Sequence, residues 1–306
     1  MVQEEFNPPQ GVAQTVGHEL KRILAPNPSP MTFKGTNTYI LGKSNLAIID
    51  PGPDSDSHLA SIEAALERGQ RLTHVFVTHS HVDHSPLALR LAARHNASIY
   101  AYGPSGSGRS QVMKTLAEAG LKDSGEGIDH GFSPDMALSD GQVVETAEWK
   151  IAAYWTPGHL GNHMCFKAGE TVFSGDLAMG WASSLISPPD GDLTDFMASC
   201  EKLRALDAKT LHAGHGAPIM DPKARLEWLL SHRKGREAEV LSALKKGAST
   251  VGKLAAEIYV DTPPALMGAA SRNVLAHLVD LTERSIVSPV GALHHDGLFS
   301  LNAKAR

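Results

Sequence analysis

Cysteine is scarce in this chain: 306 residues carry only Cys165 and Cys200. Neither sits in a C-x-x-C spacing, so a disulfide framework is excluded, and both read as small buried apolar side chains. Long apolar runs are missing too. No stretch approaches the roughly 20 residues needed to cross a bilayer. The start, Met1-Val2-Gln3-Glu4-Glu5, is acidic without an apolar core, so no secretory signal is expected. A cytoplasmic location fits these absences. Positive charge is also short, with a net charge of −5. Residues 1–222 hold 16 Lys/Arg against 25 Asp/Glu, net −9, and residues 223–306 hold 12 against 8, net +4. An acidic body with a mildly basic tail suggests two units with different surfaces, and it falls short of a nucleic-acid-binding signature. The apolar fraction, 42%, is ordinary for a globular protein, and the length suits two domains or one large domain with an appendage.

Metal-competent side chains are what the chain has in excess. His79-Ser80-His81-Val82-Asp83-His84 packs three imidazoles and one carboxylate into a single loop. Imidazole suits zinc, and a carboxylate can complete its coordination. Before this loop, residues 74–78 form a β-branched and aromatic run that predicts a buried strand. After it, Ser85 is an expected N-cap and Pro86 an expected first helical residue, opening a helix to about His95.

The same theme recurs downstream. Residues 149–155 predict a strand running into Thr156-Pro157-Gly158-His159. Residues 170–173 run into Ser174-Gly175-Asp176, and residues 210–213 into Gly214-His215-Gly216. Each time a donor follows a strand next to glycine, which permits close backbone approach. Upstream, residues 38–42 and 45–50 predict a hairpin, broken by Pro51-Gly52-Pro53, and Ser57 is expected to cap a helix through Leu66. The glycine-rich run at 103–108 lacks the Lys-Ser/Thr ending of a phosphate loop and reads as a flexible loop, as does the Gly/Asp/Ser-rich segment 122–135. Beyond Asp221-Pro222 a long helix is expected towards Leu244. Thr250 caps another, Ala265 to about Leu281 forms a third, and Ile286-Val287 pairs with Gly297-Leu298-Phe299. Helix, helix, hairpin is the outline of a winged helix.

H-x-H-x-D-H, T-P-G-H, S-G-D and G-H-G, in this order, resemble the metallo-β-lactamase superfamily. Residues 34–39 and 259–264 are similar to its β-lactamase-like protein 2 subgroup, which carries a C-terminal winged helix. The resemblance implies an α+β fold, a four-layer αβ/βα sandwich over residues 1–221. A linker helix at 222–248 and a winged-helix domain at 249–306 would follow. It implies that one metal takes His79, His81 and His159, that a second takes Asp83, His84 and His215, and that Asp176 bridges them. His163 would stand behind the ligands or contact substrate, and His212, close to the site in sequence, is expected to be structural or to stand behind the ligands. Trp181, Leu185 and Ile186 either line an apolar pocket wall or pack in the core. Two zinc ions are the default, with iron or manganese compatible.

Two such ions can share a water whose pKa falls towards roughly 7, giving hydroxide at neutral pH. Asp83 would orient that hydroxide or pass a proton to the leaving group. The expected activity is hydrolysis of a small ester, thioester or lactone. An endoribonuclease is the rival, favoured by the basic tail. β-Lactam cleavage would be a side activity. A DNA-binding regulator fits poorly, because the third helix carries Arg272 as its one strong cation with Asp280 near its end. That domain is expected to pack beside the site and shape substrate access. The expected partner is a small molecule, with RNA as the alternative and no membrane. His294 and His295 are expected at the surface, far from the site.

Overall fold

The computed structural model describes residues 5–121 and 127–303. The chain's acidic start before Glu5, and the opening of the loop expected at 122–135, lie outside them. Seven strands lie side by side in chain order: β1 (Gln14–Gly17), β2 (Leu20–Leu24), β3 (Asn37–Leu41), β4 (Asn45–Ile49), β5 (Arg71–Phe76), β6 (Ser98–Ala101) and β7 (Met136–Ala137). The first four pair antiparallel and the rest parallel. A second sheet holds β8 (Val143–Glu145), β9 (Lys150–Trp155), β10 (Met164–Ala168), β11 (Thr171–Gly175) and β12 (Thr210–Ala213), in the order β12-β11-β10-β9-β8. Helices α1 (Asp56–Ala64), α2 (Leu87–His95) and α3 (Gln111–Glu118) belong to the first half. Helices α4 (Leu193–Ala205), between β11 and β12, and α5 (Pro222–Lys245), after β12, belong to the second.

Side chains alternate across a strand, and here both faces are covered. On β3 and β4, Tyr39, Leu41, Ala47 and Ile49 point between the sheets, where they meet Ile151, Ala153, Phe166 and Phe173. Ile40, Leu46 and Ile48 point the other way, onto Leu59 and Ile62 of α1 and Leu87 and Leu91 of α2. Behind the second sheet, Val172 and Leu211 pack on Phe196 and Leu203 of α4 and on Leu226 and Leu229 of α5. The result is the expected four-layer sandwich.

The C-terminal part contains β13 (Ser249–Thr250), α6 (Val251–Ile258), a 3₁₀ turn (Pro264–Leu266), α7 (Met267–Glu283), β14 (Val287–Pro289) and β15 (Leu298–Leu301), with β13-β15-β14 as a small sheet. Thr250 caps α6 by accepting from Lys253 N, and Asp221 caps α5 by accepting from Ala224 N. This unit has its own core, joined by Val240, Ala243 and Leu244 of α5 and by Met113 of α3. Helix α5 therefore packs its first half on the sandwich and its last turns on the winged helix. Arg233, midway along α5 and buried, donates to Asn273 Oδ1 of α7 at 3.0 Å and to the Ser184 carbonyl.

Some local expectations are corrected. Ser55 rather than Ser57 caps α1, and the helix starts at Asp56. Ser85 does not cap α2, because its hydroxyl is spent on the His81 carbonyl and Asp129. The loop at 103–108 is tied down. Gly108 has a left-handed φ of +76°, and a Cβ there would lie 2.2 Å from the Gly161 oxygen. Alongside, Asn162 Nδ2 donates to Ser80 Oγ at 3.0 Å.

Cys165 and Cys200 are both buried, and burial pushes each thiol up to about 12. Neither should be alkylated by iodoacetamide at pH 8 in folded protein, and both should react in urea; intact-mass analysis reads the difference. Arg233→Ala should lower the unfolding free energy by about 3 kcal/mol, since it strands buried polar partners, and the shift in urea midpoint measures it.

Candidate metal centre

The donors lie at one end of the sandwich because strands of both sheets stop there. His79, His81, Asp83 and His84 follow β5, His159 follows β9, Asp176 follows β11 and His215 follows β12. Side chains from residues 34–39 stitch the two sheets together at this end. Asn37 Nδ2 donates to the carbonyls of Ala213 and Gly216 at 3.1 and 2.9 Å, and Tyr39 Oη donates to that of Ala213 at 2.7 Å. Gly214 is needed for close approach: a Cβ there would lie 2.4 Å from Asp176 Oδ1 and 2.6 Å from His84 Cε1.

Three imidazole nitrogens converge first. His79 Nε2 lies 2.9 Å and His159 Nε2 3.1 Å from His81 Nδ1. In a second group, Asp83 Oδ2 lies 3.3 Å from His84 Nε2 and 3.1 Å from His215 Nε2, and those two nitrogens are 3.3 Å apart. Asp176 sits between the groups. Its Oδ2 is 3.3 Å from His215 Nε2 and 3.8 Å from His159 Nε2, and its buried Oδ1 has no donor within hydrogen-bond reach. A tetrahedral ion bound at 2.0–2.1 Å holds its imidazole nitrogens roughly 3.3 Å apart, so the spacing and the orphaned carboxylate oxygen fit divalent cations. His79, His84 and Asp176 form a further converging trio where the groups meet.

The imidazoles are aimed from behind. His159 Nδ1 donates to the Leu185 carbonyl at 2.7 Å and His215 Nδ1 to that of Gly35 at 3.2 Å, which turns each Nε2 inward. His79 Nδ1 pairs with Thr78 Oγ1 at 2.9 Å. His84 Nδ1 pairs with Asp50 Oδ2 at 3.0 Å. Asp50 is a residue of the site that the sequence motifs do not single out. It follows β4 with φ of +52°, and it also accepts from Thr78 N and Thr78 Oγ1 at 2.7 and 2.8 Å.

The electrostatics divide the histidines. Burial, helped by neighbouring imidazoles, holds His79 well below its ordinary range and pulls His81 down to about 3. Burial also opposes charge on His84 and His215, but Asp83 and Asp176 outweigh it. His84 is held well above its ordinary range and His215 is raised to about 10. Burial likewise opposes the charge on Asp83 and Asp176, and the same two imidazoles outweigh it, so both carboxyls stay ionised.

His163 is fully buried behind the cluster. Its Nε2 accepts from Asp176 N at 3.2 Å and its Nδ1 pairs with Thr156 Oγ1 at 3.0 Å, so it positions the Asp176 backbone and does not reach the pocket. His212 packs against Tyr39 and Phe173 between the sheets. Trp181 stacks on Phe33 with centroids 5.0 Å apart, Leu185 lines the metal pocket, and Ile186 is core. The pocket over the cluster measures about 330 Å³ and is lined by His81, Asp83, His159, Asp176 and His215, with Met31, Met179 and Leu185. Arg272 of α7 also lines it, so the winged-helix unit contributes to its wall. His294 lies in the exposed segment between β14 and β15.

Known proteins are similar to this chain in sequence and fold. The model of the metallo-beta-lactamase superfamily matches residues 31–215. The chain belongs to the metallo-beta-lactamase superfamily. A beta-lactamase associated winged helix domain matches residues 250–293. A beta-lactamase-like protein 2 homolog from Drosophila melanogaster is 30% identical over 85% of the chain and 86% of its own length. An atrochrysone carboxyl ACP thioesterase from Paecilomyces divaricatus is 30% identical over 81% of the chain and 71% of its length. The lactamase-like protein adaB from Aspergillus niger is 30% identical over 76% of the chain, which spans 66% of that protein. A metallo-beta-lactamase family protein from Thermus thermophilus shares the fold, with a TM-score of 0.74, 23% identity and coverage of 93% of this chain and 99% of that one.

Asp50→Ala should weaken metal binding about 10- to 100-fold, because His84 loses the carboxylate that orients it. Zinc titration against a competing chelator measures this, and wild-type affinity retained in the variant would remove Asp50 from the site.

Proposed function

We propose that this chain is a metal-dependent hydrolase of small carboxylic thioesters and esters, lactones included, that works in the cytoplasm. Superfamily membership and the His/Asp cluster support the hydrolase class, and a relative named as a thioesterase supports the finer choice. The observation that carries the choice of substrate is the pocket wall. Beside the cluster it offers Met31, Met179 and Leu185, and its one Lys or Arg among the described residues is Arg272. A channel for RNA needs a row of cations to meet successive phosphates. This wall suits a compact, partly apolar molecule.

His79, His81 and His159 would hold one divalent ion and Asp83, His84 and His215 another, with Asp176 shared. Zinc is the ion that this nitrogen and oxygen donor set suits best. Bound there, such ions would lower the pKa of water towards roughly 7 and polarise a carbonyl. The chain's own residues do the rest. Asp83 keeps a side chain 22% exposed towards the pocket, so it is the carboxylate placed to accept a proton and hand it to the leaving group. Leu185 and the two methionines exclude water from one flank of the pocket. Its free thiols and the lack of any helix among the described residues long and apolar enough to cross a membrane are compatible with the cytoplasm.

Acyl thioesters, lactones, β-lactams and short RNAs should be assayed side by side on zinc-loaded protein. Thioesters should give the highest kcat/KM. Faster cleavage of RNA, with binding that falls steeply in salt, would replace this reading with the ribonuclease one. Asp176→Ala should lose metal content and at least about a hundredfold in kcat/KM, since more is removed than an outer hydrogen bond.

A further inference from the structure

A second cavity, of about 170 Å³, opens between the sandwich and the winged-helix unit. The sandwich side supplies Met31, Met179 and Trp181, and the C-terminal side supplies Tyr259, Leu266 and Ala269. Met31 and Met179 line the metal pocket as well, so the two spaces share a wall. Helix α7 spans both: Ala269 faces the apolar cavity, and Arg272, three residues on and hence on the same helix face, lines the metal pocket.

We propose that this interdomain cavity is the acyl pocket of the enzyme, and that its substrates are thioesters or esters of apolar acids of about six carbons or one aromatic ring. This rests on the hydrolase reading above and names its substrate class. Size sets the limit, because an apolar cavity of about 150 Å³ accommodates benzene. Lining sets the chemistry, because thioether, indole and aliphatic side chains favour an apolar guest. The acyl half is the one that fits. A carrier thiol is long and polar and needs a path to water, whereas the acyl group is the short apolar part attached to the carbonyl that must lie over the cluster. The hydrolysis itself balances simply: water adds its oxygen to the acyl carbon, the carbon–sulfur bond breaks, and the thiol leaves with a proton.

The test is a series of straight-chain acyl thioesters of one small thiol, from acetyl to decanoyl, on the zinc-loaded full-length protein. kcat/KM should rise about fourfold per methylene and level off near hexanoyl. Ala269→Phe, which fills the cavity, should lower the hexanoyl-to-acetyl ratio at least tenfold. A flat series in wild-type protein would overturn the acyl pocket while leaving the hydrolase in place. No turnover of any member, acetyl included, would overturn the hydrolase reading and the pocket with it. Saturation-transfer NMR with hexanamide on metal-free protein gives a readout independent of turnover. A methyl signal that disappears in Ala269→Phe is expected, and one that persists undiminished in that variant overturns the assignment.

Discussion

Two carboxylates, Asp83 and Asp176, are held among five imidazoles at the end of a closed sandwich, and the arrangement works only if positive charge stays with them. Removing an ionised carboxylate from water costs several kcal/mol. Here His84 and His215 offset that cost by keeping protons that burial alone would expel. Divalent cations can take the place of those protons, provided the imidazoles give them up. His79 and His81 are held neutral by the same burial and so are ready to bind. The cluster is thus a cavity for cations built from groups that would be costly in any other setting.

Such a cluster must be held by something stiffer than its own loops. The strand ends supply part of this, since a strand inside a sheet has little freedom. The remainder comes from polar contacts between segments far apart in the chain. Asn37 and Tyr39 tie β3 to the turn that presents His215. Asp50 ties the end of β4 to Thr78 and His84. His163, just before β10, is tied to the amide of Asp176. Each is a buried hydrogen bond whose loss would leave an unsatisfied group, so each restrains geometry more firmly than an exposed contact would.

These facts explain what is legible in the sequence. The four-layer sandwich is what the family resemblance implies; the donor-bearing loops can be read from the residues themselves, because each donor is adjacent in the chain to the strand that places it. Pattern and punctuation then suffice. Asp50 cannot be read that way. Its partners, Thr78 and His84, lie 28 and 34 residues on, and only the pairing of β4 with β5 makes them neighbours. A signal is nevertheless present, since Asp50 ends an apolar strand just before Pro51-Gly52, a strand-end context like that of Asp176 and His215. The loop at 103–108 departs from its expected slackness for a related reason. Glycine there signals backbone-on-backbone packing against Gly161, which composition alone reads as freedom. Arg233 is likewise defined by distant partners, Ser184 and Asn273.

The winged-helix unit follows the same logic at a larger scale. By composition its third helix makes a poor nucleic-acid reader, because Arg272 is its one strong cation. In the fold, that helix is fastened to the sandwich. Asn273 receives hydrogen bonds from Ile186 N and from Arg233, which locks α7 against the loop after Asp176. With Asn273 fixed, its neighbour Arg272 is carried into the wall of the metal pocket and Ala269 into the adjoining cavity. The third helix of the unit is thereby bound to the loop beside the cluster. The C-terminal unit thus closes one side of the pocket, whose wall combines Met31, from before β3, with Arg272 of α7.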